Sequence, residues 1–245
     1  MSYSTENELH KDVNLLKLWN IVGPQQNRTK GPFHRIRNAY NCSKYCIDNN
    51  ISGDFLEFGT WKGGIIGCMS WLAQNENKNR KCWAFDSFKG MSAPDLSKDL
   101  LEGETIAKVC LEPKVQLHNF NLNDFKHTCF NMLNIIPENL NIVEGWADET
   151  IPKNSDAIDK ISVLRIDFDW YEPTKMVLEY FYHKVVKGGI IICDDYGAWK
   201  GARQAINEYR KEHNINEPLI QTKKDDGTNQ PSLIVGTEHY WVKNE

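Results

Sequence analysis

Apolar positions along this chain follow two rhythms, and the change from one to the other marks its elements. Leu9, Val13, Leu16 and Trp19 recur three to four residues apart, the spacing of one helix face, before Gly23-Pro24 breaks the pattern. Ile36, Ala39, Tyr40, Ser43 and Ile47 repeat the helical spacing within residues 31–49, and a polar turn closes that segment at residues 50–53. These two predicted helices form an N-terminal extension over residues 1–52. From Gly53 onward the rhythm shortens. Runs rich in β-branched and aromatic residues predict strands at 54–58, 81–85, 115–120, 140–144, 162–166 and 190–193, with a C-terminal pair at 219–223 and 232–235. The stretches between them predict helices, notably at 64–75, 173–185 and 200–213. Strands separated in turn by helices predict an α/β fold whose doubly wound, mostly parallel sheet is covered on both faces.

Composition narrows the class. The 245 residues suit one domain, 1–245, long enough to bury its core without disulfides. A net charge of -4 supplies no basic field of the kind nucleic acids require. The longest apolar runs, such as Gly189-Ile190-Ile191-Ile192-Cys193, fall far short of the roughly 20 residues that span a bilayer. The first residues carry Glu6, Glu8 and Lys11 and no apolar segment, so a secretory signal is not expected and a cytoplasmic location is. Seven scattered cysteines argue against zinc or disulfide frameworks, and the one close pair, Cys42 and Cys46, lacks second-site partners.

Chemistry concentrates at strand ends. Asp54-Phe55-Leu56-Glu57-Phe58-Gly59 runs into the turn Thr60-Trp61-Lys62-Gly63-Gly64 and then a helix, the first crossover of a doubly wound sheet, where a nucleotide-like cofactor fits. The bulk of Thr60 and Trp61 argues against a pyrophosphate, which needs a glycine-lined approach. The next strand ends in Asp86, and a carboxylate there can accept both hydroxyls of a ribose. Val163-Leu164-Arg165-Ile166-Asp167-Phe168-Asp169 ends in two acids spaced by two, whose side chains would project the same way from a strand. Ile190-Ile191-Ile192-Cys193-Asp194-Asp195 repeats the design one helix later. Consecutive strands are commonly neighbours, so three or four carboxylates would converge, a repulsion that a cation relieves. An all-oxygen set suits Mg2+, Mn2+ or Ca2+ rather than zinc. One such acid alone would read as a helix cap or loop residue; two acidic pairs on the ligand-binding edge read as a metal site.

Five ordered motifs carry a family resemblance: residues 53–64, Phe85-Asp86-Ser87-Phe88-Lys89-Gly90-Met91, residues 144–152, residues 164–174 and residues 194–205. Over residues 53–201 the chain resembles the macrocin O-methyltransferase family, metal-dependent sugar methyltransferases. The resemblance implies a Rossmann-like class I methyltransferase fold with a seven-stranded sheet. It implies methyl transfer from S-adenosylmethionine to a hydroxyl of a sugar or nucleotide-linked sugar, assisted by Mg2+ or Mn2+. By the same resemblance Glu57 and Gly59, with Thr60 and Gly63 in the same turn, lie near the methionine end of the donor. Asp86 holds the ribose with Ser87 beside it, Gly145 and Trp146 border the adenine, and Asp167, Asp194 and Asp195 ligate the metal, with Asp167 also against the donor. Phe168 is larger than the residue usual at its position in the family, and Thr60 stands where Val or a similar residue is usual. The expected partners are a small sugar-like acceptor and at most a second copy of the chain.

A sugar hydroxyl is a weak nucleophile, so the enzyme must align it and remove its proton. Asp167 and Asp169 are both candidates for that proton, with Asp167 favoured; the related catechol-type enzymes use a lysine where Trp170 stands here. Tyr40, Trp170, Tyr171, Tyr196 and Trp199 are placed either to stack on ligand or to pack the core. His34, Arg35 and Arg37 are placed either to form a lid over an acidic or phosphorylated acceptor or to make a solvated helix face. A competing class is an NAD(P)-dependent short-chain dehydrogenase-like oxidoreductase, suggested by Tyr-x-x-x-Lys at Tyr40/Lys44 and Tyr171/Lys175. Against it, the first pair precedes the glycine turn and the second contains Pro173.

Overall fold

The computed structural model describes residues 12–76, 80–100, 120–223 and 238–245. Strands β1 (Asp54–Phe58), β2 (Cys82–Asp86), β3 (Leu140–Glu144), β4 (Ile161–Ile166), β5 (Val185–Cys193), β6 (Ile220–Gln221) and β7 (His239–Val242) form one sheet in the order β3-β2-β1-β4-β5-β7-β6. The first five are parallel, β7 runs antiparallel to β5, and β6 runs antiparallel to β7. Strands β2 and β4 are buried at every position, which is why they read as continuous apolar runs rather than as alternation.

Period-two geometry sends alternate side chains to opposite faces, so each strand feeds two cores. Phe55, Val163 and Ile190 pack under α1 (Val13–Val22), α2 (Phe33–Asp48), α3 (Gly64–Glu76) and α4 (Leu122–Lys126). Leu56, Leu164 and Ile191 pack under α5 (Ala147–Asn154), α6 (Tyr171–Phe181) and α7 (Lys200–Glu212). The N-terminal helices therefore belong to a core layer; only the segment at residues 28–31 and Arg35 reach the cavity described below. Among the described residues no helix is long and apolar enough to cross a membrane.

Several expected elements move. Helix α1 buries Leu15, Leu18 and Val22, whereas the expected face holds Val13, 62% exposed, and Leu16, 39% exposed; Leu9 lies outside the described residues. The helix expected at 173–185 starts at Tyr171 and stops at Phe181, so Pro173 falls in its first turn, where a missing N–H costs nothing. Strand β5 begins five residues earlier than expected, at Val185. The strand expected at 219–223 shrinks to Ile220–Gln221. The one expected at 232–235 lies outside the described residues, as does 115–119 of the strand expected at 115–120. β7, unforeseen, pairs with β5 through Ile190↔Val242 to Cys193↔His239. Cys42 and Cys46 are buried free thiols inside the core.

Because β1 and β4 are neighbours, the strand order reverses between them, and their carboxyl ends open the crevice where ligands of such sheets bind.

Candidate functional site

Register brings the acids together. Ile166 pairs with Cys193, so Asp167 leaves β4 opposite Asp194 leaving β5. The Asp194 amide donates to the Ile166 carbonyl at 3.0 Å, and the Asp167 amide to that of Phe58 at 2.8 Å. Asp167, Asp194 and Asp195 each offer a carboxylate oxygen, all within 4.8 Å of one another. The close approach of β1 depends on Gly59: its φ is +83°, and a Cβ there would stand 1.9 Å from the Asp167 carbonyl oxygen. Gly59→Ala is expected to lower stability by about 2–5 kcal/mol, combining left-handed strain with overpacking. Gly90→Ala, at φ +94° with nothing within 4 Å of the place its methyl would take, bears the backbone cost alone. Urea denaturation of both variants checks this, and equal losses would contradict it.

Arg165 threads this cluster. Fully buried, it donates from Nη1 to Glu57 Oε1 at 2.6 Å and to Asp167 Oδ2 at 2.8 Å, and from Nη2 to Asp194. Its Nε lies 3.8 Å from Glu238 Oε2. Arg35, from α2, donates to the second oxygen of Asp194. Six carboxyl groups, of Glu57, Asp167, Asp169, Asp194, Asp195 and Glu238, thus surround two guanidiniums. The imbalance shows in their protonation. Burial pushes Glu57, Asp169 and Glu238 up to about 8. Burial, followed by repulsion from Asp169, Asp167 and Asp194, holds Asp195 well above the ordinary carboxyl value. At Asp194 burial acts in the same direction but Arg35 and Arg165 outweigh it, leaving the carboxyl below its usual range. Excess negative charge held out of water calls for protons or a further cation, and this oxygen-only donor set fits a hard divalent ion.

A cavity of about 580 Å³ opens beside the cluster. Glu57, Gly59, Thr60, Asp86 and Ser87 line one side of it, and Gly145, Trp146, Asp167, Asp169 and Asp195 also face it. Gly63 does not: its missing Cβ makes room for Phe125 and Cys129 in the core. Asp194 is fully buried behind the lining. Asp86 accepts from the Thr60 and Trp61 amides at 2.8 Å each and from Phe88 N at 2.8 Å, so it anchors the glycine turn as well as facing the cavity. Glu57 accepts from Ile66 N in the first turn of α3 at 2.8 Å, which with Arg165 occupies both its oxygens.

Strand alternation does not explain Asp169. Strand β4 ends at Ile166, and Asp169 has φ +60°, a left-handed conformation that aspartate tolerates. Its amide donates to Asp195 Oδ2 at 3.2 Å, and its side chain is hydrogen-bonded by Trp199, which meets Trp170 edge-on at 4.7 Å. Of the expected lid residues, Arg35 turns inward to Asp194, Arg37 donates to the Lys223 carbonyl at 2.8 Å, and His34 is buried. Tyr40 is core, and the Tyr171 hydroxyl donates to Glu208 at 2.5 Å.

Sequence reasoning missed Arg165 and Glu238. The first carried a signal, a lone charge within an otherwise apolar strand, which must find buried partners. The second carried none, since it follows a polar tract and reaches the cluster from just ahead of β7, where Asn38 and Thr222 donate to its carboxylate.

The model of the macrocin-O-methyltransferase (TylF) family matches residues 21–227. The chain belongs to this family. Demethyldecarbamoylnovobiocin O-methyltransferase of Streptomyces niveus is 31% identical over 192 residues, covering 78% of this chain and 71% of the relative. Mycinamicin III 3''-O-methyltransferase of Micromonospora griseorubida is 27% identical over 195 residues, covering 76% and 72%. Among solved structures, the O-methyltransferase NovP superposes with a TM-score of 0.74 at 27% identity, over 89% of this chain and 83% of that one. An O-methyltransferase from Bacillus cereus, at a TM-score of 0.56 and 13% identity, shares the fold. This macrocin O-methyltransferase family member is an S-adenosylmethionine-dependent O-methyltransferase. That displaces the dehydrogenase alternative.

Proposed function

We propose that the enzyme methylates a hydroxyl of a sugar or nucleotide-linked sugar, with a divalent ion, Mg2+ or Mn2+, held by Asp167, Asp194 and Asp195. The observation that carries the reading is the convergence of three carboxylates within 4.8 Å at the wall of a cavity of about 580 Å³. The name of a further relative, 8-demethyl-8-(2,3-dimethoxy-alpha-L-rhamnosyl)-tetracenomycin-C 4'-O-methyltransferase of Streptomyces olivaceus, 27% identical over 201 residues, contains a rhamnosyl group and supports the acceptor class. The buried free thiols support a reducing, cytoplasmic setting.

In this reading S-adenosylmethionine supplies a sulfonium methyl for in-line transfer, and the ion supplies positive charge that orients and acidifies the acceptor hydroxyl. Gly59 and Thr60 border the methionine end, Asp86 and Ser87 the ribose, and Gly145 and Trp146 the adenine. Asp169 takes the hydroxyl proton. It faces the cavity with an orienting bond from Trp199, while Asp167, first favoured, is committed to Arg165. Turnover on candidate sugars, read as S-adenosylhomocysteine release with Mg2+ and after chelation, tests the whole. Release limited to sugar acceptors and lost on chelation is expected; chelator-resistant turnover would overturn the metal assignment.

Asp86 makes donor binding depend on pH. Burial raises its carboxyl to about 6 against three opposing amide hydrogen bonds. Above that value the carboxylate accepts from the ribose; below it the proton occupies an acceptor oxygen. Affinity for S-adenosylhomocysteine is therefore expected to weaken as pH falls through about 6, and in Asp86→Asn to be weak and flat across the same range, as calorimetry can measure.

A further inference from the structure

Asp99 is a buried carboxyl, 2% exposed, that lies outside the acidic cluster and has no part in the chemistry proposed above. Its oxygens go to two backbone amides. Oδ1 accepts from the Tyr171 amide at 2.8 Å and Oδ2 from the Asp95 amide at 2.8 Å, while its own amide donates to the Asp95 carbonyl at 2.7 Å. The first of these bonds caps α6 from outside, since Trp170, the residue before that helix, offers no side-chain cap. One residue on, the Leu100 carbonyl accepts from the Lys200 amide at 2.8 Å, at the start of α7. That helix comes so close that residue 201 has no room for a side chain: a Cβ on Gly201 would stand 2.0 Å from Asp99 Oδ1 and 3.1 Å from the Tyr171 nitrogen. A carboxyl is thus set where two helix N-termini converge, an arrangement their dipoles favour.

What this ties down is the turn that carries Asp169. Three consecutive residues there each donate to a different segment: the Asp169 amide to Asp195 Oδ2 at 3.2 Å, Trp170 Nε1 to the Ser92 carbonyl at 3.0 Å, and the Tyr171 amide to Asp99. Asp169 has a left-handed φ of +60°, and such backbone persists only where its surroundings over-determine it. The Trp170 ring meets Trp199 edge-on, Trp199 in turn holds the Asp169 carboxyl, and Met91 and Ala202 pack against this pair. Met91, Ser92, Asp169 and Trp170 all line the cavity, so the stretch that Asp99 anchors is the wall next to the proposed base. The donor side of the same loop holds itself. Asp86 accepts from the Phe88 amide, and Ser87 Oγ donates to the Gly90 carbonyl at 2.9 Å and accepts from the Lys89 amide at 3.1 Å, all without Asp99.

We propose that Asp99 is a positioning residue: by joining residues 91–99 to the first turns of α6 and α7 it fixes Trp170 and Trp199, and through them the direction of the Asp169 carboxyl. Asp99 itself does not line the cavity. The proposal rests on the reading of Asp169 as the group that takes the acceptor's proton.

A double-mutant cycle on Asp99 and Asp169 tests it. Turnover is read as S-adenosylhomocysteine release with the sugar that wild type methylates fastest, and the donor site by S-adenosylhomocysteine calorimetry. Asp99→Ala is expected to lower kcat at least about tenfold, with S-adenosylhomocysteine affinity within about threefold of wild type, since misplacing a reacting group by about 1 Å costs up to about a hundredfold. Asp99→Asn, which keeps an acceptor for the Tyr171 amide, recovers part of the loss. Added to Asp169→Asn, Asp99→Ala lowers kcat by no more than about twofold further, because a residue acting through Asp169 has nothing left to position. Hydrogen exchange gives a readout independent of turnover: the Tyr171 amide loses protection in Asp99→Ala.

A kcat in Asp99→Ala within about twofold of wild type would overturn the proposal, as would losses that multiply in the double variant, which mark a general loosening of the fold. Unchanged protection at Tyr171 would do the same. Should Asp99→Ala not fold, Asp99→Asn carries the same cycle with the same criterion of non-additivity. Wild-type kcat in Asp169→Asn alone is a separate failure: it removes the base itself, and its positioning by Asp99 falls with it.

Discussion

Asp169→Asn is expected to lower kcat by about two to four orders of magnitude while leaving the affinity for S-adenosylhomocysteine within about twofold of wild type. Asparagine keeps the shape and tolerates the left-handed φ of +60°, so the turn survives; what is lost is a group able to accept a proton. The amide can still meet Trp199, whose bond to the native carboxylate fixes the side chain's direction. The same substitution at Asp167 would also disturb Arg165, which donates to it at 2.8 Å, and would mix positioning with chemistry. Steady-state kinetics beside calorimetry on Asp169→Asn separates the two. A kcat within about threefold of wild type would remove Asp169 from the reaction.

Arg165→Met is the most damaging change to the fold itself. It leaves Glu57, Asp167, Asp194 and Glu238 without the guanidinium that lies among them, and breaking a buried ion pair costs about 3–5 kcal/mol. For a chain of this size that corresponds to a fall in Tm of roughly 6–20 °C at neutral pH. The sign with pH follows from the raised carboxyls. Glu57 and Glu238 titrate near 8 with Arg165 present, and removing it drives them higher. A raised acid is stabilising while it keeps its proton and loses that contribution as pH rises through the folded value. The gap between variant and wild type should therefore widen from pH 6 to pH 9 in thermal melts. A small or pH-independent gap would mean that the charges are better solvated than their burial indicates.

These two residues also show where sequence reading stops. The sheet was legible because parallel strands buried on both faces must be apolar throughout, and glycine turns and strand-end acids fall at fixed places in a doubly wound fold. Asp167, Asp194 and Asp195 were found as a cluster for that reason, since adjacent parallel strands carry their ends to one edge. Asp169 was anticipated with the wrong geometry: its position comes from a left-handed turn after β4, not from strand alternation. Helix α1 was turned to the wrong face because Val13 and Leu16 fit the helical period as well as Leu15 and Leu18 do, and only packing decides between them. Arg35 and Glu238 reach Asp194 and Arg165 from opposite ends of the chain, contacts that no local pattern encodes. Asp194, carrying both guanidiniums, is accordingly a poor place to test the metal by substitution. Asp195 is cleaner, because the Asp169 amide is the one hydrogen-bond donor to its carboxylate among the described contacts.

The decisive measurement is Mn2+ binding followed by electron paramagnetic resonance on wild type and Asp195→Asn, both loaded with S-adenosylhomocysteine. Stoichiometric uptake by wild type, lost in the variant without loss of S-adenosylhomocysteine, is the predicted result. Equal uptake by the two proteins, or none by wild type, would contradict a metal centre at the ends of β4 and β5.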